Sequence, residues 1–302
     1  MESLEDRITP TFNALFDGVT WTLTQVQDNG NVTITVDSAL NLTVSENAGS
    51  TTNYRQITSN LRINMLPTST SNLDVTLDGQ LPGNLDVNLG LSGRNLSLDG
   101  TVNFIFGNLR ITGGLGDQFV ELSDNALLTV GGSLFVDLGS GNDVIDTDNG
   151  FTVGSDVTFF GVNRLFNTDS EIITVGGNLT FNASFEAQQN TITFRGSPTG
   201  PDSVGGNLTY FGNSGTDDID FENTIVGGNF FVDLKSNLIQ EELETEDGVM
   251  LGFEPQEVRF EDSTIGGNLI VLSGLSEATQ APFGDFVSSD SATLLAGNIS
   301  SA

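Results

Sequence analysis

Val175-Gly176-Gly177-Asn178-Leu179-Thr180-Phe181 returns almost letter for letter as Val204-Gly205-Gly206-Asn207-Leu208-Thr209-Tyr210. The phrase recurs at Val226-Gly227-Gly228-Asn229-Phe230 and Ile265-Gly266-Gly267-Asn268-Leu269. Looser copies are Val130-Gly131-Gly132-Ser133-Leu134 and Val153-Gly154-Ser155-Asp156-Val157. Further upstream only the Asn-Leu core survives, at Asn60, Asn84 and Asn108. From Asn60 onward the steps are 24, 24, 25, 23, 22, 29, 22 and 39 residues. A period in this range is the mark of a repeat architecture. The two long steps carry inserts: residues 197–201, rich in Pro and Gly, and residues 238–256, which hold the acidic stretch Gln240 to Glu246.

After each Asn the apolar residues alternate, as in Leu61/Ile63/Met65, Leu85/Val87/Leu89 and Leu134/Val136/Leu138. Period two means a strand with one buried face. A second strand of similar form follows at Val120/Leu122, Ile219/Phe221 and Val258/Phe260, with weaker copies around Val144 and Leu165. Two or three strands closed by tight turns in so short a period make one coil of a solenoid. Stacked coils lie about 4.8 Å apart, so nine phrases give a rod of roughly 40 Å. Each inward Leu or Val contributes about 1.5–3 kcal/mol once its neighbours are stacked. The Gly-Gly pair is expected to turn a corner with positive φ. Asn60, Asn84, Asn108, Asn178, Asn207, Asn229 and Asn268 are expected to stack as an amide ladder up one corner.

The chain is therefore expected to be all-β: a single right-handed parallel β-solenoid of roughly nine coils. Residues 1–50 are assigned to a leader remnant and a capping hairpin. That hairpin pairs Thr20 to Val26 with Asn31 to Val36 around Asp28-Asn29-Gly30. Residues 51–272 are assigned to the repeats and 273–302 to a C-terminal cap or flexible tail.

Composition narrows function by exclusion. Forty acids face nine bases, a net charge of −31. Such a field repels phosphate backbones and anionic headgroups, so neither nucleic acid nor a membrane surface is an expected partner. The chain has no Cys and no His, which removes disulfides, thiolate nucleophiles, Cys/His zinc sites and imidazole bases. No apolar run of about 18 residues is present to span a bilayer as a helix. Seven Asn-x-Ser/Thr sequons occur, but most follow from the repeat phrase itself.

Glu2-Ser3-Leu4-Glu5-Asp6-Arg7 resembles a short motif near the N-terminus of large secreted proteins of planctomycete-type bacteria. The Val-Gly-Gly-Asn-Leu-Thr phrase, with Gly139-Ser140-Gly141-Asn142-Asp143 downstream, is similar to the β-strand-repeat regions of such surface proteins. The resemblance covers about Asn60 to Val271 and the first seven residues. It implies an extracellular or cell-surface location. Exposed coil ends and the strand-like C-terminal tail suit head-to-tail or edge contacts between copies of the chain, and other surface-layer or matrix components are the alternative expected partners.

Gly139-Ser140-Gly141-Asn142-Asp143-Val144-Ile145 also resembles the calcium-binding nonapeptide of RTX proteins, and Gly113-Gly114-Leu115-Gly116-Asp117 is a partial second match. Calcium takes six to eight oxygen ligands. Asp143, Asp146 and Asp148 form one candidate set, and Asp217, Asp218 and Asp220 another. RTX sites repeat the phrase consecutively, whereas each match here stands alone, so solvated turn acids are the competing account. Calcium is the one cofactor the sequence suggests. An enzyme would have to use paired carboxylates on one face. Basic residues are scattered, the single Trp21 lies in the expected cap, and fold analogy alone would support a polysaccharide-degrading β-helix. Ice binding needs regular outward Thr; Thr180 and Thr209 align, but Phe231 and Ile270 take the next equivalent positions. The expected function is a non-enzymatic structural or adhesive scaffold. A calcium-dependent adhesin and a polysaccharide-degrading enzyme are the alternatives.

Overall fold

The structure is a computed structural model. It describes residues 12–273 apart from 29, 47–50, 55, 102, 123–125, 167–171, 184–188, 198–199, 213–215, 235–239, 246–247, 254–256 and 262, and strands at 286–289, 294–295 and 299–301. Every regular element among these residues is a strand.

Consecutive Asn-Leu phrases lie over one another. Leu61, Leu85, Leu109 and Leu134 pair in parallel at one level of their strands, and Leu179 with Leu208 continues the column. Three long sheets result. Sheet 1 holds the strands that follow the phrase and has twelve members. Sheet 2 holds the second strands and also has twelve, including Val144–Asp146 and Arg164–Phe166, whose patterns are weakest. Sheet 3 is made of short strands just before the Gly-Gly pair, such as Phe151–Val153 and Ile173–Val175, and has eight members. One coil runs Leu134–Gly139, Val144–Asp146, Phe151–Val153, and then the next phrase. The chain is thus an all-β parallel β-solenoid.

The coil number is not the nine expected, because strands join sheets without the phrase. Thr20–Gln25 stacks under Asn60–Asn64 with Thr20 where Asn would be, and sheet 3 begins only at Phe104. The N-terminal hairpin is also corrected. We label the first five strands β1 (Phe12–Phe16), β2 (Thr20–Gln25), β3 (Val32–Val36), β4 (Leu42–Glu46) and β5 (Thr51–Asn53). β2 and β3 do not pair with each other: β2 enters sheet 1 and β3 enters sheet 2. A good turn sequence between them was outweighed by parallel pairing with the next coil. Antiparallel pairing does occur at this end, but as β1 on β2 and as β5 on β4 on β3.

The acidic insert forms its own antiparallel pair, Gln240–Thr245 with Gly248–Phe253, outside the three sheets. Where a cap or flexible tail was expected, Phe286–Ser289, Leu294–Leu295 and Ile299–Ser301 add one strand to each sheet.

The interior follows from strand alternation. Leu61, Ile63, Leu85, Leu109, Ile111 and Val136 are fully excluded from solvent. Toward the C-terminal half the core turns aromatic. Phe159 stacks on Phe181 at 5.1 Å, Phe181 meets Phe194 at 5.7 Å, and Phe194 stacks on Phe221 at 5.4 Å. Such pairs add about 0.5–1.5 kcal/mol beyond area burial.

The Gly-Gly pair works by close approach, not by positive φ. None of its glycines is among those with positive φ. A Cβ on Gly227 would lie 2.5 Å from the carbonyl oxygen of Gly205 in the coil below, and one on Gly205 2.5 Å from that of Gly176. At this corner backbone stacks on backbone, with Gly227 N–H donating to Val204 O at 2.8 Å.

Candidate functional site

The ladder is mainly side chain to backbone, with an amide-to-amide rung where Asn229 Nδ2 donates to Asn207 Oδ1 at 3.3 Å. In most rungs the Asn side-chain oxygen accepts the backbone N–H of the Asn one coil above, and Asn108 Oδ1 accepts that of Ser133 at 2.8 Å. Asn60 Oδ1 receives Asn84 N at 2.9 Å, Asn84 receives Asn108 at 2.8 Å, and Asn178 receives Asn207 at 2.9 Å. Asn207 receives Asn229, and Asn229 receives Asn268, each at 2.9 Å. Asp156 fills the same role for Asn178 at 2.7 Å. The second glycine of the phrase makes room for this bond. A Cβ on Gly206 would meet Asn178 Oδ1 at 2.6 Å, and one on Gly132 would meet Asn108 Oδ1 at 2.2 Å. Ser replaces that glycine at Ser155 and Ser59, and in both places the coil below has a short side chain, Ser133 or Thr20. Glycine and the Asn beneath it are therefore one device. Its role is mechanical.

Of the six candidate calcium ligands, Asp146 and Asp148 meet through a side-chain hydrogen bond, but neither set of three closes on one point. Alternation turns Asp143 inward with Ile145 and Asp146 outward, while Asp148 lies in the exposed turn beyond. Asp217 is buried, while Asp218 and Asp220 project from the other side of their strand. Asp220 is ion-paired with Arg195 at 2.8 Å. Among the described residues no three acids converge on a common point.

Asp143 and Asp217 instead belong to a buried polar column at the corner from sheet 1 into sheet 2. Ser71, Arg94, Gln118, Asp143, Asn163, Asn190 and Asp217 occupy one position in successive coils, the first five just before their sheet 2 strands and Asn190 and Asp217 near the start of theirs. All are buried. Gln118 N donates to Asp143 Oδ1 at 2.7 Å, and Asp143 N donates to Asn163 Oδ1 at 2.7 Å. Asn163 Nδ2 donates to Asn190 Oδ1 at 3.3 Å, and Asn190 Nδ2 to Asp217 Oδ1 at 2.6 Å. Tyr210 reaches across from sheet 1 to donate its hydroxyl to the same oxygen at 2.8 Å. Burial and the Asp217 carboxyl hold the Tyr210 phenol well above its ordinary pKa. Arg94 donates to Ser69 O at 2.6 Å and Leu66 O at 3.2 Å, and desolvation lowers its pKa.

Asp143 is the strained member. Burial pushes its carboxyl up to about 7; the Gln118 N–H lowers it and the Asp117 charge adds to the rise. Its Oδ2 has no hydrogen-bond partner. Asp146 is also raised, first by burial and then by Asp148. Sequence reasoning missed Arg94, Gln118, Asn163 and Asn190. The signal was present: each stands two residues before an inward apolar residue, as Asn163 does before Leu165, so period two turns it inward.

The outer face of sheet 1 is a surface that could meet a partner. Register sets two outward columns side by side. One carries Arg62, Asp86, Arg110, Phe135, Thr158, Thr180 and Thr209; the other carries Asn64, Asn88, Thr112, Asp137, Phe160 and Asn182. A groove of about 400 Å³ lies over Arg62, Asn64, Asp86, Asn88, Arg110 and Thr112. A second, of about 230 Å³, lies over Phe135, Asp137, Phe160 and Asn182. Arg62 pairs with Asp86 at 3.0 Å, and the Arg110 guanidinium sits 4.5 Å above the Phe135 ring. Phe135 and Phe160 are 5.7 Å apart, and Phe211 and Phe231 form a second outward pair at 5.8 Å.

Fold and surface define a parallel β-solenoid with a mixed aromatic and polar outer face. No family model matches the chain, and neither a curated protein nor a solved structure does.

Proposed function

We propose that the chain is an extracellular, non-enzymatic scaffold with a structural or adhesive role, built as a right-handed rod. The observation that carries this reading is the outer face of sheet 1. Its side chains are held in register by the backbone ladder, so Arg110, Phe135, Phe160 and Asn182 form a preorganised strip along the axis. Aromatic and Arg side chains dominate binding energy where interfaces are measured. Rigid presentation lowers the entropic cost of binding. The charge of −31 disfavours nucleic acid and anionic membranes and favours a dispersed, soluble rod. A surface-layer or matrix component is the partner this reading names.

The test is retention on bacterial cell-envelope preparations. The wild-type chain is expected to sediment with them, and Arg110→Ala combined with Phe135→Ala is expected to lose at least about tenfold in affinity while melting as wild type does. Equal retention of the double variant would remove this face from the function, and no retention of either would defeat the adhesive role.

A further inference from the structure

β1 is the outermost described strand of sheet 1, so one row of its backbone groups has no neighbour among the described residues of the sheet. Unpaired sheet edges template pairing with another strand, and soluble proteins usually blunt them. The other antiparallel edge at this end is blunted: β5 offers Thr51, Thr52 and Asn53, all exposed and polar. β1 is not. Leu15 is 67% exposed and Phe16 42%, and Val19 (58%) and Val26 (40%) flank the neighbouring strand β2. The charge pattern is equally local. The chain carries 40 acids in 302 residues, yet residues 8–27 hold one, Asp17, and no base.

We propose that β1 pairs with β1 of a second copy, joining two solenoids head to head into one continuous sheet. The proposal takes its purpose from the scaffold reading, but its geometry stands on the edge alone. The Asp17 N–H donates to Thr20 O, so by antiparallel alternation Asn13 and Leu15 bond to β2. Phe12, Ala14 and Phe16 then turn their N–H and C=O groups to the free edge. Antiparallel self-pairing about Ala14 sets Phe12 opposite Phe16 of the second copy and Ala14 opposite itself. That match is self-complementary, as a two-fold interface requires. Electrostatics permits the same arrangement. Two bodies of −31 repel wherever their acidic flanks meet, whereas β1 and β2 bring no charged side chain to the joint. At physiological salt that repulsion is screened beyond about 8 Å.

The test is sedimentation velocity of the full chain at 0.15 M salt from low to high micromolar concentration. The expected result is an elongated dimer. Ala14→Pro removes the central free-edge donor and leaves the β1–β2 bonds in place. Leu15→Glu sets two new carboxylates at the joint, since symmetry counts each substitution twice. Each is expected to raise the dimer dissociation constant by about tenfold or more. Leu115→Glu, at a residue 74% exposed and remote from β1, is expected to leave it unchanged. Trp21, the only tryptophan, stacks on Phe16 at 5.1 Å and reports in each variant whether this end is still folded. A wild-type chain that stays monomeric at every concentration overturns the proposal, as does a dimer that both β1 variants leave intact. A monomer that still binds cell envelopes defeats the pairing alone, and a dimer that does not bind them defeats only the adhesive role.

Discussion

At the scale of single residues, the decisive feature is the coupling between a glycine and the side chain beneath it. Gly206 leaves space for Asn178 Oδ1, which in turn accepts Asn207 N–H. Gly206→Ser is therefore expected to destabilise by about 1–3 kcal/mol through overpacking. Adding Asn178→Ser should recover part of that loss, reproducing the natural pairing of Ser155 above Ser133. A double-mutant cycle in urea would show additive losses if the two positions are independent. Asp143 gives a second residue-scale prediction. Its folded pKa of about 7 lies above the ordinary aspartate value of 3.8, so the folded state holds the proton more tightly. The stability this group contributes is fully present below pH 3.8 and is lost as pH rises through about 7. The loss is on the order of 4 kcal/mol. Asn163 and Asn190 fill the equivalent positions, so Asp143→Asn keeps the Oδ1 acceptor and removes the titration. The variant is expected to be the more stable protein at pH 8, with the difference shrinking toward pH 4 in denaturant titrations.

At the scale of elements, the sheets tolerate interruptions at their corners. The strand pair Gln240–Thr245 and Gly248–Phe253 leaves sheet 1 after Phe230–Leu234, and the chain rejoins sheet 2 at Glu257–Glu261. On both sides of it the parallel register is kept, Phe230 on Leu269 and Ile219 on Val258. Replacing the pair with a corner like the one between Gly139 and Val144 is expected to leave the melting transition of the solenoid in place. A large fall in melting temperature would mean that the insert supports the stack. Loop length itself costs little, about 0.6 kcal/mol for each doubling, so the insert is cheap to keep and cheap to remove.

At the scale of the whole molecule, charge and repetition set the behaviour. Forty acids against nine bases leave the chain strongly self-repelling. The described ion pairs, Arg62 with Asp86 and Arg195 with Asp220 and Glu222, offset little of that. Raising sodium chloride from about 0.01 M to 0.15 M shortens the screening length from about 30 Å to 8 Å, so the melting temperature is expected to rise over that range. A melting temperature that falls or stays level would show that repulsion is not a leading cost. Each coil packs only on its neighbours, so stability adds coil by coil and unfolding can begin at an end.

The recurring phrase and its period-two flank determined the architecture without help: apolar residues at alternate positions must share an interior, and a repeat of 22–25 residues leaves room for one coil. The weak copies at Val144 and Leu165 were placed only by stacking, because three residues carry too little pattern to read alone. The fate of Thr20 to Val36 was likewise not local, since a hairpin turn and parallel pairing with the next coil were both open to it and the larger ladder won. The inward polar column was legible in parity but hidden by its position at the edge of each strand, just outside it from Ser71 to Asn163 and just inside it at Asn190 and Asp217. The acid triplets read as one cluster along the chain, and alternation then split them across two sides of a sheet. Sequence fixes which residues share a face; only the stacked backbone decides which groups from different coils meet, because that distance runs along the rod and not along the chain.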